Sequence, residues 1–438
     1  MAQTNRPLRV ALFTDTYTPQ INGVVTSVVN LKRGLEEMGH VVTIVAPKHP
    51  QQIPEANVIR VRSTTYRPQP EQRYAFPPSL RKILEFRQKK FDIIHTHGVV
   101  MPVIGLGIGR LLNVPVVMTY HTRFRDYVHY APFYATMSWL MNDKRWYVRG
   151  SRSRTRVSQR LSDGLEHRTQ ALAARIDQWL CNRNLEIISP AAPMADELVE
   201  MGVQSPISVV PNGINLEALA LPKPDPFPKH NIPKDHKRLL TVSRIGKEKS
   251  IDALLDRFKL IHAAMPETHL IIVGDGPERK TLEAYCKTLK LEQAVTFTGY
   301  VANTEVSGYY QHAHLFVFAS VSETQGLVAL EANVCSCPVV ARAEMGITTC
   351  VLDGKTGFLV DPTDPQAFAD KALELLQNEP KRLEFAAAAK AFAFVEGSHT
   401  TMTKRILEVY KRAIGTSKGW ADLSLTDVVS TARKELRR

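Results

Sequence analysis

Residues 10–46 read VALFTDTYTPQINGVVTSVVNLKRGLEEMGHVVTIVA, and this stretch decides the fold class. Val10–Thr14 is a short β-prone run. It enters a turn, Pro19-Gln-Ile-Asn-Gly23, after which Val25, Val28, Val29, Leu31 and Leu35 recur at helical spacing. Gly39 stops that pattern, and Val41–Ala46 is the next apolar run. Strand, helix and strand in this order form a βαβ unit, and such units build parallel sheets.

Asp92–His95, Val114–Thr119 and Ile187–Ser189 continue the series as buried strands. The stretch from Pro206 to Pro233 then carries seven prolines, a density that suits a linker. Beyond it a second βαβ series is expected, with strands at Arg238–Ser243, His269–Val273, Ala294–Thr298, His314–Phe318 and Pro338–Ala341. The expected organisation is α/β, with two Rossmann-like domains facing each other across a cleft. Residues 1–205 form the first domain, 206–235 the linker and 236–400 the second. Met402, Ile406, Val409, Tyr410 and Ala413 place one apolar stripe on a helix over 401–413, and 414–438 is a polar tail. In open parallel sheets, ligands bind at the carboxyl ends of the strands.

With 438 residues, 44% of them hydrophobic and 23% charged, the chain fits two ordinary globular domains. No apolar run is long enough to span a bilayer: Gly98–Gly109 is stopped by Arg110. Asp15 follows residues 8–13 too closely for a secretory signal. Membrane contact is therefore expected to be peripheral. The five cysteines have neither disulfide-framework nor zinc spacing, which fits a reducing cytosol. A formal charge of +13 favours anionic partners.

Three constellations carry chemistry. Ser322-Glu323-Thr324-Gln325-Gly326-Leu327-Val328-Ala329-Leu330-Glu331-Ala332 sets two carboxylates on either side of a glycine. If a helix starts near Gln325, its free N–H groups make an anion site that a diphosphate can occupy. Glu323 then precedes the helix, where it can meet sugar hydroxyls, and Glu331 follows along it, placed for ribose hydroxyls. Arg244 at a strand end and Lys249 five residues later are placed to neutralise a diphosphate. Ile272-Val273-Gly274-Asp275-Gly276-Pro277 is a tight turn after a strand, lacking the third glycine of a dinucleotide fingerprint. In the first half, Gly23 lies in a strand-to-helix turn and His121 ends a strand, as do His95 and His97, which read as structural.

Taken together, these motifs resemble retaining glycosyltransferase family 4, whose fold is called GT-B. The likeness runs from Arg9 to about Arg412. It is carried by Glu, seven residues, Glu; by Ser243-Arg-Ile with Glu248-Lys249; by Gly274-Asp-Gly-Pro; and by Phe297-Thr-Gly-Tyr-Val301. The resemblance implies that Arg244 and Lys249 bind the donor diphosphate. Glu331 would hold the ribose, and Glu323 with the backbone of Gln325, Gly326 and Leu327 the sugar. Gly274 would line the donor site, Tyr300 and Val301 would flank the base, and Gly23 would face the phosphate. His121 would contact the transferred sugar, and the 401–413 helix would cross back to the first domain.

Phe13-Thr-Asp-Thr-Tyr17 and Thr119-Tyr-His-Thr122 look most like bacterial diacylglycerol glucosyltransferases, with UDP-glucose as donor. The chain departs from that pattern across residues 145–180 and at Asn333-Val-Cys-Ser-Cys337. Segment 123–180 is basic and aromatic: Tyr127, Tyr130 and Trp139 precede Arg145, Trp146, Arg149, Arg152, Arg154 and Arg156. Such a mixture suits an anionic membrane surface and a lipid acceptor, and no nucleic-acid module accompanies it. Arg81, Lys82, Arg87, Lys89 and Lys90, beside Leu80, Ile83, Leu84 and Phe86, form a second basic patch.

The chain contains no Asp-x-Asp, so the expected transfer needs no metal and no cofactor beyond the nucleotide sugar. Arg244, Lys249 and the helix start take the role of charge acceptor. The expected place of action is the cytoplasmic face of a membrane. A soluble or phosphoinositol acceptor for a hexose or mannose, or a non-catalytic nucleotide- or membrane-binding module, are the alternatives. The intact set Arg244, Lys249, Glu323 and Glu331 argues against the last.

Overall fold

The structure is a computed structural model that describes residues 6–20, 22–66, 69–121 and 173–416. It divides into two units. One comprises Met1–Ser189, Ala195–Val209 and Ile406–Arg438, the other Pro190–Met194 and Val210–Arg405.

The first unit is built on β1 (Arg9–Thr14), β2 (Val41–Pro47), β3 (Val58–Val61), β6 (Ile93–His97), β7 (Val116–Thr119), β8 (Ile187–Ser189) and β9 (Ile207–Val209). A two-stranded antiparallel ribbon, β4 (Ser63–Tyr66) and β5 (Gln69–Ala75), lies outside that sheet. The seven strands are ordered β3-β2-β1-β6-β7-β8-β9 and are all parallel. β1 is buried from Val10 onward, as its apolar run requires when helices cover both faces.

Helix α1 (Gly23–Glu37) starts where the Asn22 side chain accepts the Val25 N–H at 3.0 Å. It ends where Gly39 turns to φ +83°. Its stripe of Val25, Val28, Leu31 and Leu35 is buried, each side chain contributing about 1.5–3 kcal/mol. Helix α2 (Leu80–Lys89) buries only Phe86, which packs edge-on against Phe13. Helix α3 (Val100–Leu112) joins β6 to β7. The expected linker over 206–235 begins with β9 inside this sheet. Its later part packs Phe227 and Ile232 into the second unit's core.

The second unit's sheet is ordered β12-β11-β10-β13-β14-β15 and is also parallel. Its strands are β10 (Lys237–Val242), β11 (Thr268–Val273), β12 (Val295–Gly299), β13 (Leu315–Phe318), β14 (Val339–Arg342) and β15 (Gly357–Val360). Alternate residues serve two cores. Leu239, Leu270, Ile272, Leu315 and Val317 face one; Leu240, Ile271, Val273, Phe316 and Phe318 face the other. This period of two is why the strands read as continuous apolar runs.

The last helix, His399–Thr416, is longer than the 401–413 expected. Its residues from Ile406 belong to the first unit, so the chain does return there. Met402 and Thr403 are buried before that point, and Ile406, Val409, Tyr410 and Ala413 after it.

Candidate active site

In a doubly wound sheet, ligands meet the carboxyl ends of the strands where the strand order reverses. In the second unit that point lies between β10 and β13. After β10 the chain runs through Ser243-Arg244-Ile245-Gly246 into a 3-10 turn, Lys247–Lys249. After β13 it runs through Ala319–Gly326 into helix α4 (Leu327–Val334). Gly274, at φ +136°, closes β11, and a Cβ there would run into the Ser243 carbonyl oxygen. The turn after β11 therefore lies flush on the loop after β10, and the Ile245 N–H donates to the Asp275 carbonyl at 2.9 Å. Tyr300 and Val301 follow β12; Tyr300 is 65% exposed, and Val301 packs on the core below.

The charges pair within this edge. Lys249 Nζ donates to Glu323 Oε1 at 2.5 Å, and the Ser320 hydroxyl reaches the same oxygen at 3.1 Å. Arg244 Nη2 donates to Glu248 Oε1 at 2.7 Å. Burial works to raise the Glu248 carboxyl, but its own backbone N–H, Arg244 and Lys249 outweigh that and hold it below its ordinary value. The Ser320 and Ser322 hydroxyls donate to the Glu248 carbonyl at 3.2 and 3.0 Å. They bolt the loop that carries the cations to the loop that carries Glu323.

Helix α4 starts at Leu327, two residues later than expected. Gly326 sits at φ +86° with Ile347 where a Cβ would be, so glycine is required at this turn. The first N–H groups of the helix have no acceptor within it, and the helix starts just past the carboxyl end of β13, next in the sheet to the strand that leads to the cations. Gln325 turns inward. Its Oε1 accepts from the backbone and side chain of Asn212 at 2.7 and 2.8 Å, and its Nε2 donates to the Asn212 carbonyl at 3.1 Å. The Gln325 side chain is thus a fastener of the loop, leaving only its backbone to the site.

Glu331, one turn along the helix, accepts the Tyr310 hydroxyl at 3.0 Å. Its residue keeps some open surface, yet its carboxyl is enclosed by protein. Burial pushes it up to about 7, against the pull of Tyr310. The structure therefore brings Lys249 and Glu323 into contact and sets Arg244, Gly274, Tyr300, Gly326 and Glu331 on the same sheet edge.

In the first unit the order reverses between β1 and β6. Asp15, just past β1, accepts the N–H groups of Val99, Val100 and Met101, at 2.9 Å for Val100 and 2.7 Å for Met101. It caps α3. Burial outweighs those three donors and leaves its carboxyl above the ordinary range.

His95 and His97 alternate along β6 and so share a face. His95 is fully engaged, Nδ1 with the Tyr410 hydroxyl at 2.8 Å and Nε2 with Thr119 Oγ1 at 2.7 Å. His97 Nδ1 meets His121 Nε2 at 2.9 Å. Burial pushes the His121 imidazolium down to about 4 and His95 to about 3, and lowers His97 as well, so all three rings are neutral at pH 7. Gly23 is the exposed first residue of α1, and β6 lies between the strands that lead to it and to His121. Tyr127, Tyr130, Trp139, Arg145, Trp146, Arg149, Arg152, Arg154 and Arg156 lie outside the described residues.

Glu248, Ser320, Ser322, Tyr310 and Asp15 were not singled out from the sequence. Glu248 and Ser322 lie within quoted motifs and Ser320 just before one, but their roles come from hydrogen bonds between loops about 70 residues apart.

Two doubly wound halves, one carrying paired cations, paired acids and a glycine-started helix at its switch point, define a glycosyltransferase of the GT-B class. Residues 21–218 match Glycosyltransferase Family 4, and residues 222–392 match Glycosyl transferases group 1. An alpha-monoglucosyldiacylglycerol synthase of Streptococcus pneumoniae is 31% identical, over 97% of this chain and 90% of that protein. The protein of that name from Acholeplasma laidlawii is 29% identical, over 82% of this chain and 86% of its own length. Among solved structures, Anabaena HepE in complex with UDP and glucose superposes with a TM-score of 0.68. It covers 92% of this chain and 100% of its own at 18% identity, a likeness of fold. The chain belongs to glycosyltransferase family 4 and is a hexosyltransferase.

Proposed function

We propose that the chain transfers a glucosyl group from UDP-glucose to a diacylglycerol-type lipid, with retention at the anomeric carbon and without a metal ion. The observation that carries the donor half is the joining of Lys249, Glu323 and Ser320 at the switch point, with Arg244 beside them. Arg244, Lys249 and the start of α4 receive the negative charge that develops on the departing diphosphate. Glu323 and Glu331 accept sugar and ribose hydroxyls. The bond from the anomeric carbon to the phosphate oxygen breaks, and one to the acceptor oxygen forms on the same face. The acceptor's proton leaves with the phosphate.

Two observations support the lipid half. The relatives named above are glycolipid synthases over nearly their whole length. In addition, α2 presents Leu80 and Leu84, 72% and 51% exposed, beside the exposed Arg81, Arg87 and Lys90. An apolar stripe beside cations suits the anionic surface of the cytoplasmic leaflet. Among the described residues no helix is long and apolar enough to cross a membrane, so this reading has the protein bind from one side.

The test is release of nucleoside diphosphate from a panel of nucleotide sugars, with and without diacylglycerol in anionic liposomes. NMR of the product then reports the anomeric configuration. Release from UDP-glucose that requires the lipid supports the whole reading. Release indifferent to lipid moves the acceptor into water, and an inverted product removes the same-face step.

A further inference from the structure

His97 is buried, with 1% of its surface exposed, yet its Nε2 has no hydrogen-bond partner among the described residues. Its other nitrogen, Nδ1, meets His121 Nε2 at 2.9 Å, with the two rings stacked 5.2 Å apart. The His95 ring also lies against that of His97, tilted by 36° with ring centres 4.2 Å apart. Both members of the His97–His121 pair are neutral at pH 7, so one proton lies between the two facing nitrogens, and it belongs to one ring or the other.

The two arrangements differ in what they leave behind. If His121 holds the shared proton on Nε2, His97 must carry its own on Nε2, a buried N–H with nothing to receive it. If His97 holds the shared proton on Nδ1, its Nε2 is a bare lone pair and His121 carries its proton on Nδ1. Buried donors without an acceptor are rarer in proteins than underused acceptors. The second arrangement therefore wins. A ring whose partner fixes one nitrogen presents the other in a defined protonation state.

We propose that His97 is a positioning residue that locks His121 as the Nδ1–H tautomer, making His121 a hydrogen-bond donor, not a base, toward an oxygen of the bound sugar or its phosphate. The donor role rests on the reading of His121 given above; the tautomer stands on the geometry of the pair alone. His95 completes the support. Its two nitrogens are taken by Tyr410 and Thr119, so it buttresses the His97 ring without competing for its nitrogens.

The test uses the full chain labelled with 15N-histidine, with long-range 1H–15N correlation at pH 7 and His121 assigned by the spectrum of His121→Asn. Wild type is expected to show His121 as Nδ1–H. In His97→Phe the Nδ1–H form is expected to lose its dominance, with kcat falling about tenfold and donor KM within twofold. His97→Asn, whose amide reaches the place of Nδ1 but not of Nε2, is expected to restore both the tautomer and most of kcat. Finding His121 as Nε2–H in wild type overturns the proposal by itself, and so does an unchanged tautomer in His97→Phe, even if kcat falls. Should the tautomer behave as expected while His121→Asn keeps full activity, the lock stands and the sugar-contact reading of His121 fails.

Discussion

Glu331→Gln isolates the energetic cost of the enclosed carboxyl on α4. Burial raises this group from the usual 4.5 to about 7. Below pH 4.5 the folded and unfolded chains both hold the proton. Between pH 4.5 and 7 the unfolded chain has lost it while the folded chain keeps it, so stability falls as pH rises through this window and stays lowered above it. The window spans about 2.5 pH units at about 1.4 kcal/mol each, or about 3 kcal/mol. A glutamine keeps the size and can still accept the Tyr310 hydroxyl, but it does not ionise. The variant is therefore expected to match wild type near pH 4 and to exceed it by up to about 3 kcal/mol at pH 8. Urea unfolding followed by fluorescence at both pH values reads the difference. Parallel wild-type and variant curves across that range would refute the assignment of the raised group to Glu331. The same carboxyl must be ionised to accept ribose hydroxyls, so donor KM in the wild type is expected to rise as pH falls below about 7. Donor binding should release protons, measurable as buffer-dependent heat in calorimetry.

Arg244→Ala and Lys249→Ala each remove a charge-assisted contact worth about 1.5–3 kcal/mol. A fall in kcat/KM of roughly 10- to 100-fold is expected in steady-state kinetics, and near-normal kinetics would defeat the donor-site assignment. Gly326→Ala places a Cβ against Ile347 at φ +86°; a loss of about 1–3 kcal/mol is expected in thermal unfolding, together with weaker donor binding. Tyr410→Phe strips the partner from His95 Nδ1, bonded at 2.8 Å. It should cost about 1–3 kcal/mol, and an unchanged melting temperature would contradict that bond. Replacing Arg81, Arg87 and Lys90 by Glu is expected to weaken binding to anionic vesicles several-fold in a flotation assay, with the residual binding less sensitive to salt.

The sequence by itself determined the layer architecture. Apolar strand runs broken by amphipathic helices leave little choice but parallel sheets covered on both faces, and the prolines of 206–233 mark where one series gives way to the next. Local signals also located Gly23, Arg244, Lys249, Gly274 and Glu323 at strand ends or helix starts, because turns and helix termini have their own residue chemistry, and put Glu331 further along the helix that follows Glu323. The strands Val58–Val61 and Gly357–Val360, on the outer positions of the two sheets, were not legible: Arg60 interrupts the apolar run of the first, and the second opens on a glycine. Nor did the prolines show that the stretch they occupy begins with a strand and ends in a core.

Only the tertiary structure decided how those residues work together. Gln325 lies inside the most telling motif, yet its side chain belongs to Asn212, 113 residues away. Glu248, next to Lys249 in sequence, joins Arg244 and two serines beyond β13. His97 finds His121 across neighbouring strands, and the protonation of both follows from what surrounds them. Periodicity is written along one chain. Charge pairing, tautomer and the energy of a buried carboxyl depend on what lies across space, and residues distant in sequence supply it.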